Sequence, residues 1–139
     1  MIDHILSILI FFPAVAAVFG FMIHKDSIRA YGVAVATIEF ALSLWLWFAF
    51  DSNAAGMQFM EHIALVPAFG INYILGVDGI SLFIIILAAF FTMIGIASLS
   101  DTKNVKNMIV TLLFLQMTMV GVFAALDAIV FYVFWELSL

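Results

Sequence analysis

The sequence predicts an all-α polytopic membrane protein: four complete transmembrane helices, a truncated fifth, and a short β-hairpin in the loop between helices 2 and 3. Three observations carry this. Hydrophobic residues make up 68% of the 139 and charged residues only 9%, where a soluble domain is roughly 45–50% apolar. The apolar residues gather in windows of about Ile5 to Ile23, Tyr31 to Phe50, Ile80 to Leu99 and Met108 to Ala125, with a fifth from Ala128. Each of the first four is long enough for a helix crossing about 30 Å of hydrocarbon. The charges fall mostly between windows, so the net charge of −5 belongs to short loops and is no argument for an acidic surface.

The first window follows Met1-Ile2-Asp3-His4, which has no basic region, and exceeds the apolar core of a secretory signal; it is expected to remain as a span. Small residues at helical spacing offer close helix contacts: Pro13, Ala16, Ala17 and Gly20 in the first window, Ala88, Thr92 and Gly95 in the third, Thr118, Gly121 and Ala125 in the fourth. Trp45 and Trp47 fall near one end of the second, where an aromatic belt is expected. The fifth run, Ala128 to Leu139, makes a helix of only about 18 Å. A span should not leave its last carbonyls unpaired in lipid, so a longer protein is expected, of which this is the front piece.

Residues 51–79 form a loop long enough to need structure of its own. Met57 to Ile63 and Ile71 to Leu75 partly alternate apolar and polar residues around Pro67-Ala68-Phe69-Gly70, which reads as a two-stranded hairpin resting on the helices. The whole of 1–139 reads as a single membrane domain. The four basic residues, Lys25, Arg29, Lys103 and Lys106, lie in two loops that alternate spans place on one side. By the positive-inside rule loops 24–30 and 100–107 are cytoplasmic and the N-terminus and 51–79 are outside.

Without cysteine the chain has no disulfide framework, thiol catalysis or iron–sulfur ligation. His4, His24 and His62 are too scattered for a ligand set, and neither a metal nor a nucleic-acid partner is expected. The carboxylates carry more. Glu136 lies about 12 Å along its helix, near mid-membrane, where an unpaired charge costs several kcal/mol and marks a functional site. Its flanks, Val133, Phe134, Trp135 and Leu137, offer no partner; Tyr132 apart, one must come from another helix. Glu39 shares a helix face with Gly32, Ala36 and Ser43. Two readings stand for it, a structural one (protonated, or bonded to a neighbouring helix) and a secondary role in proton transfer. Asp78 and Asp127 each precede a window and read as structural helix caps, and the brief Leu126-Asp127 turn makes helices 4 and 5 antiparallel neighbours.

Gly76-Val77-Asp78-Gly79-Ile80-Ser81-Leu82, Gly121-Val122-Phe123-Ala124-Ala125-Leu126-Asp127 and Phe131-Tyr132-Val133-Phe134-Trp135-Glu136 together resemble the chain 4/subunit M family of proton-translocating NADH–quinone oxidoreductase, respiratory complex I. The Asp-Gly-Ile-Ser motif is shared with chain 5 and with multisubunit cation/proton antiporters, while Phe-Trp-Glu-Leu-Ser-Leu is closer to chain 4. The resemblance implies an antiporter-like, multi-helix subunit of the membrane arm that translocates protons. Glu136 falls on the family's helix-5 glutamate, which pairs with a lysine of a later helix. Its partners would be other membrane-arm subunits and the lipid bilayer of a bacterial inner (cell) membrane or equivalent energy-transducing membrane. The chain itself would hold no cofactor, since NADH, flavin, iron–sulfur clusters and quinone belong to other subunits. Two alternatives stay open at the level of sequence: a subunit of a multisubunit sodium/proton antiporter with no redox partner, and a small membrane scaffold in which Glu136 is inert.

Overall fold

Apolar runs, two aspartate caps and a proline–glycine turn divide the described residues into five α-helices and one hairpin. The computed structural model describes residues 4–24, 26–50, 53, 56–99 and 104–139. In chain order they form α1 (Ile5–Gly20), α2 (Ile28–Ala49), β1 (Gln58–Val66), β2 (Ile71–Val77), α3 (Gly79–Ala97), α4 (Val105–Ala124) and α5 (Ala128–Ser138), with a turn of 3-10 helix at Pro67–Phe69 between the strands. Lys25 and Lys103, on which part of the topology reading rests, lie outside the described residues.

Among the described residues three helices, α2, α3 and α4, are long and apolar enough to cross a membrane. The expectation of four complete spans is therefore corrected, and the correction falls on α1. Its 16 residues reach about 24 Å, short of the roughly 30 Å of hydrocarbon. Beyond Gly20 the chain winds into tighter turns: the amides of Phe21, Met22 and Ile23 donate to the carbonyls of Val18, Phe19 and Gly20 at 3.3, 3.0 and 3.2 Å. These i to i+3 bonds end the α-helical ladder, and the chain reverses into α2, where Ser27 N donates to His24 O at 2.9 Å. Hydropathy counts Phe21, Met22 and Ile23 as apolar; it carries no information about the turn they make.

The hairpin is antiparallel, with Glu61 opposite Leu75, His62 opposite Ile74, and Ile63 opposite Tyr73. Its register shifts between Gln58 and Glu61, where Phe59 takes a positive φ of 58°, a conformation a bulge imposes. Gly70, at φ 68°, closes the turn with its amide on Pro67 O at 3.2 Å. The far half of β2 is no surface strand: Leu75, Gly76 and Val77 are buried against the helices. The link between α4 and α5 pairs with its edge, since Leu126 N donates to Ile74 O at 2.8 Å and Leu75 bridges Ala125. This leaves less of the strand edge unpaired.

At the centre is α4, which packs on α1, α2, α3 and α5. Two apolar cores flank its middle. At the hairpin end Leu6, Leu9, Leu46, Leu75, Leu82 and Val120 form one; at the other end Ala17, Ile28, Ile96, Ile109 and Leu113 form the second. Pro13, Ala16, Ala17 and Gly20 of α1 are all buried, as the small-residue stripe predicts. Gly95 of α3 departs from that pattern, for nothing approaches its Cβ position within 4 Å. Gly32 of α2 fits it tightly: an added Cβ would stand 2.7 Å from Ile109 Cγ2, so a glycine is what lets α2 and α4 approach.

Candidate functional site

Both caps sit where a helix begins. Ser81 N donates to Asp78 Oδ1 at 2.8 Å and Asp78 N to Ser81 Oγ at 2.9 Å, a reciprocal capping box that satisfies amides the first turn of α3 would otherwise leave open. The amide bond from Ser81, reinforced by the Ser81 hydroxyl, holds the Asp78 carboxyl below the ordinary aspartate range. Asp127 Oδ2 accepts from Ile129 N at 3.0 Å and Val130 N at 3.2 Å and so starts α5.

Once started, α5 leans on α4 through Val130 and Phe134, its two buried residues. The Phe134 ring fills the notch at Gly121, where an added Cβ would come within 2.5 Å of it. Two positions further round, at about 100° per residue, Glu136 lies on the opposite side. It is exposed, together with Tyr132, Trp135 and Leu137, and Phe131 stacks on Trp135 at 6.1 Å between ring centres. The contacts of His4 with Glu61 and of His24 with Asp26 do not involve Glu136.

Glu39 is placed in the opposite circumstance. It is 1% exposed, on the face of α2 that carries Gly32, Ala36 and Ser43 into the bundle. Gln116 of α4 lies beside it and is equally buried. Thr92 of α3 joins them, its hydroxyl donating to Gln116 Oε1 at 2.7 Å. Both Glu39 carboxyl oxygens and Gln116 Nε2 have no hydrogen-bond partner among the described residues. Nearby Ser43 and Thr118 turn back on their own helices, donating to Phe40 O and Leu115 O at 2.7 Å each. A polar layer thus separates the two apolar cores. The fold does not bring Glu39 and Glu136 together: one is sealed between α2, α3 and α4, the other faces outward from α5.

Sequence reasoning missed a third carboxylate. Glu61 of β1 is 4% exposed and reaches the start of α1, which has no side-chain cap of its own. Its Oε2 accepts from Ser7 N at 2.9 Å and its Oε1 from the Ser7 hydroxyl, with His4 Nδ1 at 3.4 Å from Oε1. The Ser7 hydroxyl lies 2.8 Å from the Tyr73 hydroxyl. Burial, with Glu61's negative charge added, pushes the Tyr73 phenol above its ordinary value. The carboxylate meets the positive end of the α1 dipole, and the hairpin is fastened there.

At the far end of the bundle two cations serve helix C-termini. Lys106 Nζ approaches Phe21 O at 3.5 Å, and the Arg29 guanidinium donates to Leu99 O. Cations there satisfy terminal carbonyls and complement the helix dipole.

No family model matches the sequence. Among curated proteins the chain is 35% identical over 136 residues to F(420)H(2) dehydrogenase subunit M of Methanosarcina mazei, covering 96% of this chain and 28% of that one. It is 41% identical over 111 residues to NADH-ubiquinone oxidoreductase chain 4 of Arabidopsis thaliana, covering 78% of this chain and 22% of the relative. With NADH-quinone oxidoreductase subunit M of Rhodobacter capsulatus it shares 35% identity over 145 aligned positions, 99% of this chain and 28% of the other. The chain is thus similar in sequence to subunit M/chain 4 proteins and spans between about a fifth and a little over a quarter of the length of these relatives.

Proposed function

We propose that the chain belongs to a proton-translocating membrane subunit of an NADH–quinone oxidoreductase, or of an F420H2-dependent counterpart, that moves protons while other subunits transfer electrons. The observation that carries this reading is the 35–41% identity to proteins named as subunit M or chain 4 of an F(420)H(2) dehydrogenase and of NADH–quinone and NADH–ubiquinone oxidoreductases, extending over 78–99% of the chain. The relatives' names supply the electron donors; this chain has no cysteine to ligate an iron–sulfur cluster, and flavin and quinone are assigned with the clusters to its partners in the membrane arm and beyond.

Glu136 is the group that binds and releases the proton. Its outward position on α5 suits a carboxylate whose partner is a cation on another helix. A cation brought close favours the ionised form and expels the proton; its withdrawal allows the proton back. The 139 residues act as one membrane domain, with the N-terminus and hairpin outside and loops 24–30 and 100–107 in the cytoplasm of a bacterial cell or equivalent energy-transducing membrane. Arg29 and Lys106 at the bundle end away from the hairpin support that orientation.

The test is Glu136→Gln in the complete protein within its assembled complex. Electron transfer should continue or slow while proton pumping collapses. An assembled mutant with the wild-type proton-to-electron ratio refutes the role of Glu136. Sodium-dependent proton flux, with respiration untouched by deletion of the protein, refutes the redox assignment.

A further inference from the structure

Inside the polar layer the supply of hydrogen bonds does not match a charged glutamate. Glu39 presents two oxygens, both buried and both without a partner among the described residues. The elements packed on α2 are α1, α3 and α4. Neither α1 nor α3 contains a charged residue; α4 contains Lys106 and α2 itself Arg29. Each of these cations is ten positions from the layer, about 15 Å along its helix, and each serves a helix C-terminus. The remaining titratable group of α2, Tyr31, gives its hydroxyl hydrogen to Ala16 O at 2.6 Å. An ionised Glu39 would be a buried charge with no counter-ion among the described residues, an arrangement proteins avoid by neutralising the group.

A neutral Glu39 fits what is beside it. A carboxylic acid offers one O–H donor and one carbonyl acceptor. Gln116 offers the complement: two N–H donors on the unpartnered Nε2, and on Oε1 a second lone pair besides the one that takes the Thr92 hydroxyl. The Thr92 contact goes with one orientation of the amide. With the hydroxyl donating to Oε1, the amide oxygen lies on α3's side and Nε2 is left for the acid.

We propose that Glu39, Gln116 and Thr92 form an intramembrane proton-binding site in which Glu39 holds a proton, directly or through one water, against the Gln116 amide. The site is separate from Glu136 and lies on different helices. Its ligand is the proton itself, kept at neutral pH in a layer where the described residues place no cation to displace it.

Infrared spectroscopy of the complete protein in its assembled complex reads the bound proton directly. At neutral pH the wild type should show the carbonyl stretch of a protonated carboxylic acid, lowered in deuterium oxide and displaced by carbon-13 labelling of glutamate. Glu39→Gln should remove that band, because the amide replaces a neutral acid of the same shape, while Glu136→Gln leaves it in place. Gln116→Leu should move it to higher frequency as the hydrogen bond is lost. An acid band unchanged by Glu39→Gln, with loss of ionised-carboxylate absorption instead, overturns the proposal. If Glu39→Gln does not assemble, Gln116→Leu decides: an unmoved band overturns it equally. None of these readings uses proton pumping, so failure of the Glu136 assignment leaves this one standing.

Discussion

The ring of Phe134 lies over Gly121 so closely that a Cβ on residue 121 would come within 2.5 Å of it. This contact sets the rotation of α5. With Val130 and Phe134 turned to α4, the helical period carries Glu136 to the outer side. Residue 121 thus governs the aim of a carboxylate more than a dozen positions away.

Gly121→Val should therefore force Phe134 out of its notch. Overpacking of a filled contact costs about 1–3 kcal/mol, and α5 should lose its fixed rotation. Phe134→Ala alone should also destabilise, by removing a buried ring. In the double variant the smaller side chain makes room for the larger, so the two losses should sum to clearly less than their separate values. Thermal unfolding of the complete protein measures the cycle. Strict additivity would show that the two residues do not meet.

How much of this was legible beforehand depends on the range of the interaction. Four of the five helices begin and end within a few residues of their apolar windows, because hydropathy is a property of the segment itself. The hairpin, too, was readable from local alternation around Pro67 and Gly70. The early end of α1 was not, since Phe21 and Met22 are as apolar as the helix they leave. Glu61 was missed for a different reason: its partner Ser7 is 54 positions away, and a glutamate in an exposed-looking strand gives no local sign that it caps a distant helix. Gln116 did leave a signal. A glutamine inside an apolar window is a polar group that must find a partner, and pairing it with Glu39 needed only the knowledge that α2 and α4 touch.

The Glu61 contact makes a second prediction. Glu61→Ala should leave the Ser7 amide uncapped and the Ser7 hydroxyl short of an acceptor. Losing a buried acceptor of this kind costs about 1–3 kcal/mol, concentrated at the start of α1 and at the hairpin. Amide hydrogen exchange should quicken at Ser7 and along β1, with Glu61→Gln intermediate because it keeps one acceptor oxygen. Unchanged exchange at Ser7 would show that the start of α1 does not depend on the hairpin.

Tyr73 adds a dependence on alkaline pH. Its phenol is raised above 10.0 in the folded protein, so the folded state binds the proton more tightly than the unfolded one. The stability this contributes is fully present below the unfolded value of about 10 and is lost as pH rises through the folded value. Hairpin unfolding followed as pH rises from the unfolded value to the folded one should be less steep in Tyr73→Phe, which has no proton to lose. Equal slopes would mean that Tyr73 ionises as it does in the open chain.

At the acid end the corresponding group is Asp78. Its folded value is lowered from 3.8, first by the Ser81 amide and then by the Ser81 hydroxyl. The sign is now reversed: the contribution is present above the unfolded value and disappears as pH falls through the folded one. Protonation removes the charge that meets the N-terminal dipole of α3, so the first turn of α3 should fray at pH values below 3.8 in the wild type. Asp78→Ala should show that fraying at every pH, and Ser81→Ala should bring its onset to higher pH by removing both the hydroxyl bond to the carboxylate and the return bond from Asp78 N. Amide exchange at Ser81 and Leu82 is the measurement. If the onset in Ser81→Ala coincides with that of the wild type, the capping box does not hold the Asp78 charge in place.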